Sequence, residues 1–178
     1  MGNTRPYPPV KLIAAIATCD TALWPECRQK LESLYSAIDM AMDWYDFHHT
    51  DYYRAEMGSA LHKRMISFQE VILAEQLPAI KLASNQLEAE FSMGDKRRIN
   101  IDPGYICAPR LVLATTKDYS HRLYLGSGIF GDIHLQYQKG GFQPREWTYP
   151  DYREPAVLQF FNEVRETYLM QLAEAEFK

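Results

Sequence analysis

Three cysteines in 178 residues, Cys19, Cys27 and Cys107, with no C-x-x-C pair among them, offer neither a disulfide framework nor a cysteine zinc site. A reducing, cytoplasmic setting is the expectation. Long apolar runs are missing too. The longest, Leu12 to Ala17, is far short of the roughly 20 residues that cross a bilayer, and Asp20 follows too soon for a signal peptide. No membrane partner is therefore expected. Nor is charge of one sign in excess: 19 Lys and Arg stand against 23 Asp and Glu, a formal net charge of -4. That balance gives no general grip on nucleic acid, so any such contact has to be a local patch. The phosphate loop G-x-x-x-x-G-K-S/T, internal repeats and low-complexity stretches are all absent.

What is present is a core-forming composition, 47% apolar and 13% aromatic. A proline-rich arm over residues 1–10 (Pro6, Pro8, Pro9) precedes one expected domain over 11–178. Lys11 to Cys19 has the length and continuity of a buried strand. Leu23, Cys27, Leu31, Leu34 and Ile38 then recur at helical spacing behind a cap at Asp20 or Thr21. Met42 to Tyr53 reads as an aromatic strand running into a loop, Lys63 to Ile72 as a strand, and Ala74 to Phe91 as a second helix. Four strand-like runs follow, Arg97–Ile101, Leu111–Thr115, His121–Leu125 and Asp132–Gln138. Turns are expected at Asp102-Pro103-Gly104, Gly126 to Gly131 and Gly140-Gly141. Glu154 to Phe177 forms a last helix with Pro155 in its first turn. The order predicts an α+β fold with a mainly antiparallel sheet, a ferredoxin-like start (β-α-β-β-α-β), an added β-meander and a C-terminal helix.

Alternation in the middle strands puts Ile99, Ile101, Leu123, Leu125, Ile133 and Leu135 on one face. The other would carry Arg98, Asn100, Asp102, Arg122, Tyr124, His134 and Gln136: cations, a carboxylate, an imidazole and a phenol, able to hold a phosphate and move a proton. A plain solvated sheet face is the competing reading. Charge is unevenly placed. Lys96, Arg97, Arg98, Arg110, Lys117 and Arg122 face only Asp102 and Asp118 in that stretch, a local +4, whereas five glutamates and Arg165 give the last helix -4. Gly126 to Gly131 spells G-x-G-x-x-G but precedes a strand, so it is read as a glycine hairpin rather than a dinucleotide fingerprint. Thr116-Lys117-Asp118 has the aspartate one residue early for a guanine-reading motif. His48 and His49, adjacent on an extended chain, point apart and make no metal pair, so no metal site is expected.

Several blocks are recognisable: His49-Thr50-Asp51-Tyr52-Tyr53 with Glu56-Met57-Gly58, then KRRINIDPGY (Lys96 to Tyr105), LATTKDYSHRLYLG (Leu113 to Gly126) and FQPREWTYPDY (Phe142 to Tyr152). Through them the chain resembles a bacterial domain-of-unknown-function family, number four-four-one-six in that series. The resemblance marks Thr50, Tyr52, Tyr53, Glu56, Asn100, Asp102, Gly104, Tyr105, Lys117, Asp118, His121, Arg122 and Tyr149. It brings no established activity. A GTP-binding label carried by some members calls for a phosphate loop that this sequence lacks.

Two function classes follow. In the first, a nucleotide or RNA end is held by Arg98, Asn100, Lys117, Arg122, Tyr105, Tyr124 and His134, with His121 and Asp102 or Asp118 as acid and base for phosphate-directed hydrolysis or transfer. No cofactor is specified by the residues. In the second, an aromatic edge of Trp44, Tyr45, Tyr52, Tyr53, Trp147 and Tyr149 docks a protein partner or a second copy.

Overall fold

A computed structural model describes residues 2–3, 5–48, 60–94 and 96–176. The run at the start of the chain becomes β1 (Val10–Thr18), buried at every position. Its two neighbours, β4 (His62–Ile72) and β5 (Ile99–Cys107), explain that burial, since a central strand has no edge to wet. Between them in the chain come α1 (Trp24–Leu34), β2 (Ile38–Ala41), the two-residue β3 (Tyr45–Asp46) and α2 (Leu77–Glu90). The antiparallel order β2-β4-β1-β5 is the ferredoxin-like arrangement of a β-α-β-β-α-β chain. The meander then widens the sheet through β6 (Arg110–Thr115), β8 (Ile129–Gln138) and β7 (Arg122–Gly126). β9 (Gly141–Pro144) pairs with the second half of β8, while β7 pairs with its first half. The chain closes with α3 (Pro155–Glu176).

Each helix carries a proline in its first turn, Pro25, Pro78 and Pro155, where the missing N–H would have had no helical partner anyway. Asp20 supplies the expected cap, accepting from the Ala22 N–H at 3.1 Å. The alternation of β1 sorts two cores. Leu12, Ala14 and Ile16 pack under α1 and α2 with Cys27, Leu31 and Leu87. Ile13 and Ala15 pack under α3 with Met65, Tyr152, Phe161 and Val164. Among the described residues no helix is long and apolar enough to cross a membrane.

Three local expectations change. Asp102-Pro103-Gly104 is not a turn but mid-strand, because Asp102, Pro103 and Gly104 pair with Ala15, Ala14 and Ile13. The hairpin reading of GSGIFG narrows to Ser127 and Gly128, whose φ angles of 53° and 76° make the two-residue turn that suits right-handed strand twist. Finally, the single apolar face does not exist. A register slip opposite Leu111 and Val112 sends Leu135 to the α3 side and Ile133 to the α2 side. Leu123 and Leu125 are exposed.

Candidate functional site

The site begins as a break in the sheet. β5 and β6 pair only from Gly104↔Leu113 to Cys107↔Arg110, and past that point β5 stays with β1 while β6 stays with β8. Successive residues of a strand direct their N–H and C=O to alternate neighbours, so Tyr105, Pro103 and Ile101 are the residues that face β6. Pro103 has no N–H to give, and the ladder stops there. Just before the stop, Gly104 lies so close to β6 that a Cβ would strike the Val112 carbonyl and come within 2.9 Å of the Leu113 side chain.

At Ile101 the groups that would have bonded β6 are taken over by α2. Glu88 Oε1 accepts from the Ile101 N–H at 2.7 Å, and Lys81 Nζ donates to the Ile101 carbonyl at 3.0 Å. Seven residues, about two turns, separate the two side chains, so they leave the same face of the helix. They hold open a cavity of about 260 Å³ lined by Lys81, Glu88, Arg97, Asn100 and Asp102 on one side and by Thr115, Thr116, Lys117, Asp132 and Tyr149 on the other.

Its electrostatics are paired. Lys81 also reaches Asp102 Oδ1 at 3.1 Å, Asn100 donates to Asp102 Oδ2 at 2.7 Å, and Arg97 bridges Glu88 and Asn100 at 3.2 Å each. Burial pushes the Asp102 carboxyl up, but the charges of Lys81 and Lys63 with the two hydrogen bonds outweigh it and hold it below the usual carboxylate range. For Glu88 burial wins, and its carboxyl titrates above the ordinary value despite Lys81.

The far wall rests on Asp132, 2% exposed. Arg122 Nε donates to its Oδ2 at 3.0 Å, and the other Arg122 nitrogens reach the Lys117 carbonyl at 2.9 Å and the Tyr149 hydroxyl at 3.3 Å. Tyr149 N–H donates to His134 Nε2 at 3.0 Å, so that nitrogen carries no proton and Nδ1–H is left to donate to Asp132 Oδ1 at 3.3 Å. Burial lowers the His134 pKa and keeps the ring neutral. His121 Nε2 sits 3.3 Å from Asp132 Oδ2, and its ring stacks on Trp147 at 4.7 Å. A carboxylate only accepts, so His121 Nε2 carries the proton of that contact. The segment from Arg145 to Tyr149 fills the gap between β7 and β9: Trp147 Nε1 donates to the Ile133 carbonyl at 3.0 Å and Thr148 Oγ1 to that of His134. Burial pushes the Asp132 carboxyl up, and the hydrogen bonds and charges of His134 and Arg122 bring it below its usual range.

The residues singled out in the sequence scatter around this cleft. Asn100, Asp102, Lys117 and Tyr149 line it. Arg122 and His134 brace it from behind, and the Arg122 guanidinium, 2% exposed, has no face left for a ligand. Arg98 is elsewhere, paired with Asp20 at 2.8 Å. Tyr105 packs against Val112 and Ala114, while Tyr124 sits 64% exposed on β7 beside Phe130. Asp118 is exposed, and the carboxylate that meets His121 is Asp132 rather than Asp102 or Asp118. The aromatic residues make two separate groups. Trp44 joins Trp24 around the Arg64 guanidinium near β4, and Trp147 and Tyr149 lie by β8. His49, Thr50, Asp51, Tyr52, Tyr53, Glu56, Met57 and Gly58 lie outside the described residues. Reading the sequence missed Lys81, Glu88 and Asp132. The signal for the first two was a lysine and a glutamate seven apart on the buried face of a helix, where unpaired charge is costly.

Residues 8–168 match the family described as Domain of unknown function (DUF4416). The chain belongs to that family. No curated protein and no solved structure matches it. The DUF4416 match spans the whole sheet, the cleft and most of α3, and the cleft's elements, α2, β5, β6 and β8, all fall inside it. Among the described residues of this DUF4416 chain no cluster of three or more His, Cys, Asp or Glu is placed to hold a metal ion.

Proposed function

We propose that the cleft between β5 and β6 binds a small phosphate-bearing ligand, a nucleotide or the phosphorylated end of an RNA. The observation that carries this reading is the convergence of Lys81, Arg97 and Lys117 with the Thr115 and Thr116 hydroxyls on a cavity opened in mid-sheet. A fold that gives up ladder bonds and buries charge there departs from what stability alone favours, and such departures concentrate at functional sites. Asp132 is neutralised from behind by Arg122. Lys81 and Arg97 are paired with Asp102 and Glu88 within the lining, and Lys117 brings a third cation to it. At about 260 Å³ the cavity is just under the ~300–1,000 Å³ of sites that enclose drug-sized ligands, which suits a phosphate and its adjoining group with the remainder outside. His121 lies outside the cavity lining and is joined to it through Asp132, so hydrolysis or transfer at a bound phosphate ester would draw on it by way of that carboxylate.

The test is thermal melting with inorganic phosphate, nucleoside mono- and triphosphates and a 5′-phosphorylated oligoribonucleotide, on the wild type and an Arg97→Ala, Lys117→Ala variant. A ligand at a hundred times its Kd stabilises by about 2.7 kcal/mol, a rise of roughly 5–10 °C for a chain of this length. The variant loses that rise. Melting temperatures unmoved by every phosphate at millimolar concentration would overturn the assignment.

A further inference from the structure

At about 260 Å³ the cavity takes a phosphate and its adjoining group, so whatever recognises the rest of the ligand has to stand at its mouth. Two tyrosines do. Tyr149 belongs to the lining yet is 42% exposed, and Tyr119, just outside the lining, is 54% exposed. Arg122 ties both to the cleft. Its guanidinium lies over the Tyr119 ring at 4.4 Å and donates to the Lys117 carbonyl at 2.9 Å and to the Tyr149 hydroxyl at 3.3 Å. Two rings and a residue of the phosphate wall are thus gathered around one small planar group. The rings are also held still. The Arg122 N–H closes a turn on the Tyr119 carbonyl at 2.9 Å, and the Tyr119 ring leans on His121, which stacks on Trp147. Tyr149 is fixed by its N–H on His134 and by the His134 ring 4.6 Å away. Single exposed apolar groups are ordinary on a surface, but two braced rings adjoining one polar cavity make a flat apolar rim.

We propose that this rim is a stacking platform for a nucleobase, so that the ligand of the cleft is a single nucleoside 5′-phosphate. The inference rests on the phosphate reading of the cavity and narrows it. The phosphate enters at Thr116 and Lys117, and the base lies on the rings of Tyr119 and Tyr149. A base suits them on two counts. Every base presents a planar π-face, and stacking on a tyrosine asks for no hydrogen bond that the rim would have to supply. The guanidinium against Tyr119 draws electron density from that ring, which fits its opposite face to an electron-rich base and not to a second cation. The length of the ligand follows from charge. With a formal net charge of -4 the chain offers no general grip on a run of phosphates, so one nucleotide is the unit bound.

Titration calorimetry decides it, with inorganic phosphate, ribose 5-phosphate, adenosine 5′-monophosphate and a 5′-phosphorylated oligoribonucleotide. The proteins are the wild type, a Tyr119→Leu, Tyr149→Leu variant and a Tyr119→Phe, Tyr149→Phe variant. The monophosphate is expected to bind about 5- to 150-fold tighter than ribose 5-phosphate, the worth of a base on an aromatic ring, and the oligoribonucleotide no tighter than the monophosphate. In the leucine variant the monophosphate falls to the level of ribose 5-phosphate, whose own affinity is unchanged. The phenylalanine variant keeps both rings and so keeps the gap. Equal binding of the two compounds by the wild type, a gap that survives leucine or vanishes with phenylalanine, or loss of ribose 5-phosphate in the leucine variant would each overturn the proposal. So would an oligoribonucleotide that binds roughly tenfold or more tighter than the monophosphate. Failure of the phosphate reading looks different: no phosphate compound then binds the wild type at all, and both assignments fall together.

Discussion

Glu88 offers the sharpest check on how the cleft is built. Replacing it by alanine leaves the buried Ile101 N–H without its acceptor, a loss of about 1–3 kcal/mol, and removes the carboxylate from Arg97, whose partly exposed guanidinium keeps Asn100 and adds less than about 1 kcal/mol. Glutamine keeps an oxygen for the N–H and removes a charge that burial already disfavours, so Glu88→Gln is expected to cost under about 1 kcal/mol. The alanine-minus-glutamine difference, about 1–3 kcal/mol in urea unfolding at neutral pH, isolates the bond that stands in for β6. Hydrogen exchange gives the local counterpart: the Ile101 amide exchanges roughly five- to 150-fold faster in Glu88→Ala, as every 1.4 kcal/mol is tenfold. Equal stability of the two variants with unchanged exchange at Ile101 would refute the idea that a helix side chain has replaced a strand.

Three further outcomes are expected. His134 is neutral in the fold with a lowered pKa, so the unfolded chain takes up its proton first as pH falls below about 6.5. Stability therefore drops from that point down to the folded pKa, by at most about 1.4 kcal/mol per pH unit, and a His134→Gln variant should show a shallower slope in pH-dependent melting. Gly104→Ala drives a Cβ into the Val112 carbonyl and should cost about 1–3 kcal/mol or more in chemical denaturation, whereas alanine at the open turn glycine Gly94 meets no atom within 4 Å and feels only its positive φ. Arg122→Met strips a buried carboxylate of its partner and should cost about 3–5 kcal/mol. Adding Asp132→Asn should recover part of it, and additive losses in the double mutant would argue against the pairing.

The fold was largely legible because its signals are local. The apolar run of β1, the stripe of α2 and the proline at the head of α3 each specify one element without reference to the rest. The site was less so. Asp102-Pro103-Gly104 has the composition of a turn, and only the pairing with β1 reveals that proline and glycine there serve to end one ladder while preserving another. Asp132 looked like the first residue of a strand, and its role depends on Arg122, His121 and His134 arriving from two strands and a loop. Alternation also fails silently at a bulge, as it did between Ile133 and Leu135, since one extra residue exchanges the faces of all that follow.

Pro103 has a consequence for how such a cleft is inherited. A sheet that opens through an accident of packing can be zipped shut by small shifts anywhere along its length, but an imino acid at the ladder position closest to the fork cannot be persuaded to donate. The end of the ladder is thus written into the covalent chain at Pro103, Lys81 and Glu88 hold the groups it leaves at Ile101, and the lining on the β6 side is the part at liberty to change. Descendants of this scaffold can exchange Thr115, Thr116 or Lys117 and alter what enters, while the doorway itself persists for as long as the proline and the two helix side chains behind it do.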